Sequence, residues 1–182
     1  MSTIAMQKNS LRTLVEGAIM VAVAFVLSFV EIPVGLYGGS VEFVMIPLIV
    51  YARRRGTPWA LGAGFVYGTI KYISTGWAIN WLSILLDYSI AYMVVGLAGL
   101  PKRGTSGYVW GTLIGCFARF IVHFISGIVL YAEYMPDVFL GLTMTSVPFY
   151  SALYNGLYML PNTVIALIIC GILARPMEKL KV

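Results

Sequence analysis

Between Ile79 and Leu100 the chain runs through apolar and small residues with a single charge, Asp87. Coiled as a helix, such a run spans the roughly 30 Å hydrocarbon core of a bilayer, where every backbone polar group must be satisfied within the segment. A carboxylate at that depth is costly and faces a partner, a cavity or a ligand. A second apolar run, Gly111 to Leu130, carries Arg119 and His123. Two readings of Asp87 follow: a packing pair with Arg119, or a counter-ion for a foreign cation.

The rest of the chain has the same character, with 60% hydrophobic and 10% charged residues, which is outside the soluble range. Its 182 residues leave room for about six or seven spans of about 20 residues and form a single domain, 1–182. The net charge of +5 therefore reads as a set of topology determinants, not as a nucleic-acid surface. Cys116 and Cys170 lie in apolar stretches as small buried hydrophobes, and nothing has metal-ligand spacing. Lys8 and Arg12 precede a helix expected to be retained and not cleaved as a signal peptide.

Six spans are expected, about Leu11–Ile32, Val41–Ala52, Pro58–Ile73, Asn80–Leu100, Tyr108–Tyr131 and Val147–Ala174. In the first, Ala18 and Ala22 share a face on which another helix can approach closely, either from the same chain or from a partner. Glu16 is expected at the interface, supporting its helix N-terminus. The loop Pro33–Ser40, with Tyr37 and Gly39, is too greasy for a solvated connector and reads either as a lid or as an anchored interfacial turn. Lys71 is expected to snorkel to the surface, and Tyr72, Trp77 and Trp81 to form an interfacial belt.

Charge tests the count. Basic residues follow spans two and four, as Arg53-Arg54-Arg55 and Lys102-Arg103, and occupy both ends of the chain. The opposite loops hold Glu31, Glu133 and Asp137 without Lys or Arg. An all-α integral membrane protein with six transmembrane helices and both termini cytoplasmic satisfies the positive-inside rule. In that topology Asp87, His123 and Asn155 each lie about 10–12 Å inside the outer boundary, at 1.5 Å per helical residue. Arg119 sits one turn below His123, and Tyr150 just over one turn above Asn155. A polar pocket opening outward explains that convergence. Hydrolytic chemistry is poorly supplied: there is one His, no second carboxylate near Asp87 in sequence, and no Gly-x-Ser nucleophile turn.

The residues then resemble a known family, the thiamin-specific substrate-binding component (S-component) of energy-coupling factor (ECF) transporters. The resemblance covers nearly the whole chain: Tyr37-Gly38, Val41-Glu42, Ile46-Pro47, Arg53-Arg54-Arg55-Gly56, Leu85-Leu86-Asp87-Tyr88, Arg119-Phe120-x-x-His123-Phe124-Ile125-Ser126-Gly127 and Tyr150-Ser151-x-x-x-Asn155-Gly156. It implies a six-helix protein of a prokaryotic plasma membrane that captures extracellular thiamin with high affinity. Small residues of the first helix, here Ala18 and Ala22, would dock on a transmembrane coupling subunit driven by two ATP-binding subunits. The chain itself has no phosphate-cradling Gly-rich loop and, on this reading, needs no cofactor.

The resemblance also implies site roles. Asp87 would face the thiazolium cation, Tyr131 would stack, Tyr150 and Asn155 would hydrogen-bond the aminopyrimidine, and Tyr88, Arg119 and His123 would complete the network. Four positions depart from the family pattern: Asp87 for Glu, Arg119 for Lys, Tyr131 for Trp, and Gly39 where the first outer loop often has Trp. Trp77 or Tyr37 is expected to compensate for lost aromatic area. A thiamin phosphate or precursor, another vitamin, and a structural protein with an Asp87–Arg119 packing pair stay open as alternatives.

Overall fold

The computed structural model describes residues 3–34, 39–102 and 104–180. Tyr37 and Arg103 lie outside the described residues. The first helix, α1 (Thr3–Leu27), ends where Ser28 turns its hydroxyl onto the Phe25 carbonyl at 2.7 Å. An antiparallel hairpin follows, β1 (Glu31–Val34) on β2 (Gly39–Glu42), with Glu31 opposite Glu42. Here the structure departs from an all-α expectation. The first helix stops short of Ile32, and Val41 and Glu42 belong to a strand, not to the second span.

The second helix, α2 (Met45–Arg55), is buried from Met45 to Arg53 and packs against α1 and each of the helices that follow. At about 1.5 Å per residue it is half a membrane long, so its apolarity serves the protein core. Helix α3 (Thr57–Thr75) opens with Pro58 in its first turn. Gly64 and Gly68 press against the segment Trp81–Gly99 so closely that an added Cβ would overlap the carbonyl oxygens of Tyr92 and Tyr88. Gly62, two residues before Gly64, meets nothing within 4 Å.

Helix α4 (Trp81–Gly99) is irregular. Asn80 and Ser83 close its N-terminus as a capping box, residues Leu85–Ile90 form a π-helical turn, and Val94–Gly99 tighten to 3-10 geometry. Such turns recur at functional sites, and this one contains Asp87. Helix α5 (Thr105–Leu130) leads through a 3-10 turn at Ala132–Tyr134 and a second hairpin, β3 (Val138–Phe139) with β4 (Leu142–Thr143), to α6 (Val147–Lys179). Helix α6 is longer than expected, and its 33 residues reach about 50 Å, well past the hydrocarbon core.

Among the described residues, four segments are long and apolar enough to cross a membrane: Asn9–Leu27, Trp81–Gly99, Thr105–Leu130 and Val147–Lys179. The arginine triplet does structural work. Arg53 is buried and donates to the carbonyls of Ala98 (3.3 Å), Pro101 (2.8 Å) and Lys102 (2.8 Å), closing the end of α4. Arg54 and Arg55 both clamp Glu16 of α1, which is therefore an ion-pair partner and not a helix-end charge.

Candidate functional site

At the opposite end from that clamp, β2, α3, α4, α5, α6 and the connector after α5 enclose a cavity of about 260 Å³. Every residue expected to bind substrate lines it: Asp87, Tyr88, Arg119, His123, Tyr131, Tyr150 and Asn155, together with Gly39 and Trp77. Asp87, His123 and Asn155 meet at one level of the helices. The Asn155 amide donates to the His123 carbonyl at 3.3 Å, and His123 Nδ1 lies 3.6 Å from Asp87 Oδ1.

Arg119 does not pair with Asp87. Its Nη2 donates to Glu42 Oε1 at 3.0 Å, the Tyr92 hydroxyl donates to the same oxygen, and the Tyr92 ring lies under the guanidinium at 4.0 Å. Glu42 is 3% exposed and Arg119 5%, so neither charge is satisfied by solvent. The packing-pair expectation is overturned because the hairpin carries Glu42 down to the level of Arg119, one turn below His123. Sequence reasoning placed Glu42 at the start of a span and passed over Tyr92; an unexplained acid beside an apolar run was the available signal. Asn162 was missed as well. Fully buried after Pro161 in α6, it accepts from the Glu42 backbone N–H and donates to the Ser40 carbonyl, both at 2.8 Å, as a neighbouring strand would.

Asp87 thus keeps its carboxylate for the cavity. The Tyr131 hydroxyl donates to Oδ2 at 2.9 Å, and His123 faces Oδ1. Among the described residues, the other two cavity carboxylates have full cations: Glu42 has Arg119, and Glu31 has Lys71 at 3.0 Å. Lys71 is therefore buried in an ion pair and does not snorkel.

The aromatic residues divide the remaining work. The Tyr88 hydroxyl accepts from the Trp77 N–H and donates to the Trp77 carbonyl, both at 2.9 Å, which holds Trp77 over the cavity mouth near Tyr131 (6.5 Å between ring centroids). Tyr150 is buried edge-on against Phe139 of the second hairpin. Asn155 is already committed: its Nδ2 donates to the Ser151 carbonyl at 2.9 Å, and its Oδ1 accepts from the Tyr158 hydroxyl at 2.6 Å. Gly39 leaves the space that the Tyr158 ring occupies, which is why no tryptophan fits there.

A lining rich in tyrosine, with one carboxylate that among the described residues has no Lys or Arg partner, suits a small organic cation. Comparison with known proteins agrees: the sequence profile of the family described as Thiamine transporter protein (Thia_YuaJ) matches residues 14–182. The chain belongs to this thiamine transporter family. It is 34% identical to the thiamine transporter ThiT of Lacticaseibacillus paracasei, over 92% of this chain and 89% of that protein. With ThiT of Bacillus subtilis it shares 31% identity over 90% and 91% of the two chains. The solved structure of ThiT from Listeria monocytogenes superposes with a TM-score of 0.81 at 25% identity, covering 94% of this chain and 97% of that one. Like its family, this thiamine transporter is a membrane transporter and not an enzyme.

Proposed function

We propose that this chain captures extracellular thiamin with high affinity and delivers it across a prokaryotic plasma membrane as the S-component of an ECF-type transporter. One observation carries the ligand: among the described residues, Asp87 is the cavity carboxylate without a Lys or Arg partner, so the cavity holds one uncompensated negative charge. Thiamin carries one permanent positive charge on its thiazolium. In a desolvated site that match is worth far more than in water, and the face of Tyr131 or Trp77 adds about 0.5–2 kcal/mol of cation–π attraction. An acidic group on the ligand, as in a phosphate ester, works against the same field.

Six crossings with both termini cytoplasmic accord with the basic loops and with a cavity at the end away from the arginine clamp. Ala18 and Ala22 lie on an exposed face of α1 beside Ile19 and Val26, 55% and 65% exposed, so no helix of this chain covers them. That supports docking to an ECF transmembrane coupling subunit, with ATP hydrolysis supplied by two further subunits. Titrating the purified protein with thiamin and following tryptophan fluorescence tests the ligand. One-to-one saturation is expected, and an Asp87→Asn protein that still binds as tightly as the parent overturns the counter-ion role.

A further inference from the structure

Asp87 stays uncompensated only while the His123 imidazole beside it carries no charge, and the hydrogen bonds explain how that is arranged. Arg119 Nε donates to His123 Nε2 at 3.3 Å. A guanidinium nitrogen is never an acceptor and never loses its proton in a protein, so Nε2 must present its lone pair. The ring proton is then on Nδ1, which points at Asp87 Oδ1. The guanidinium is itself fixed from beneath by Glu42 and by the ring of Tyr92, and Glu42 by Asn162 and the Tyr92 hydroxyl.

We propose that the buried Arg119–Glu42 pair is a tautomer lock: it positions His123 as a neutral Nδ1–H donor, so that Asp87 keeps a full negative charge for a cationic ligand. The pair acts through His123, and Arg119 and Glu42 are positioning residues in this role. The proposal rests on the thiamin reading for its ligand, but the lock is a property of the protein alone. Every charged or titratable group facing the imidazole enters the balance. Asp87 comes from α4, Arg119 from α5 itself, Glu42 from β2 and Tyr158 edge-on from α6 at 5.8 Å, with Tyr92 of α4 beneath the guanidinium. Tyr131 donates to Asp87, and Lys71 and Glu31 share the cavity as an ion pair. Protonating Nε2 requires Arg119 Nε–H to turn away, with a second cation placed against the first.

Because the chain contains one histidine, its imidazole nitrogens are assigned without ambiguity. Nitrogen-15 NMR of histidine-labelled protein in nanodiscs, without thiamin, is expected to show a bare Nε2 and a protonated Nδ1 unchanged from pH 8 to 5.5. In the charge-neutral double variant Glu42→Gln/Arg119→Gln, which leaves no orphaned buried charge, the ring is expected to titrate near the ordinary histidine value of about 6.5. Thiamin affinity of that variant should then fall about tenfold from its own pH 8 value by pH 5.5, as the imidazolium neutralises Asp87. Adding His123→Gln should flatten the profile again, and Arg119→Lys alone should leave Nε2 free to titrate if the planar fork is what matters. A wild-type ring that is Nε2-protonated, or that titrates within this window, overturns the lock. A locked ring in a protein that binds no thiamin overturns the thiamin reading and leaves the lock standing.

Discussion

Two acidic residues face the same cavity and meet opposite fates. Glu42 sits on a strand held by Asn162, receives Arg119 and the Tyr92 hydroxyl, and is almost fully buried. Asp87 sits on a π-helical turn and, among the described residues, receives a phenol and faces the His123 imidazole. The first has its charge met by a protein cation, and the second is left for a ligand. Charge of the same type at neighbouring depth thus builds the scaffold in one place and a site in the other. The difference is supplied by the neighbours and not by the residue.

The sharpest break in this comparison is to remove one partner of the closed pair. Arg119→Leu strands Glu42 in the interior and is expected to destabilise the fold by about 3–5 kcal/mol, seen as a lowered thermal midpoint in detergent. Replacing Glu42 by Gln in the same protein should restore most of that loss. Asp87→Asn is the counterpart. It should cost about 2–5 kcal/mol of thiamin binding by calorimetry while the thermal midpoint of the unliganded protein holds. If the midpoint falls as far as in Arg119→Leu, the two acids do the same job and the distinction fails.

Smaller changes test the supports of each acid. Asn162→Ala removes two hydrogen bonds from β2 and should cost about 1–3 kcal/mol of stability, with amide exchange accelerated first in Ser40 and Glu42. Tyr88→Phe releases Trp77 without touching either acid. It should weaken thiamin binding by about 0.5–1.5 kcal/mol and raise the rate of release, measured by stopped-flow fluorescence. An unchanged release rate would show that Trp77 needs no anchor.

Much of this was legible in the chain. Apolar runs separated by basic loops announced a membrane protein, and helix rise alone put Asp87, His123 and Asn155 at one depth, because a transmembrane helix is a ruler of nearly constant pitch. Local pattern failed where an element was chosen by its surroundings. Val41 and Glu42 read as the start of a helix, yet Asn162, about 120 residues away, supplies hydrogen bonds that favour a strand. Lys71 read as a surface lysine because nothing in its own segment reveals that Glu31 hangs above it. Asn155 lines the cavity as expected of a ligand group, and only the structure adds that its amide also joins α5 to α6.

The sequence by itself determined the solvent, the helical ruler and the family, since these follow from hydropathy, spacing and motif order along one chain. Only the tertiary structure decided which acid meets which base. An ion pair in the membrane is chosen by side-chain reach within a few ångströms, and a hairpin, a π-turn and a buried asparagine together brought Arg119 to Glu42 and left Asp87 facing the cavity.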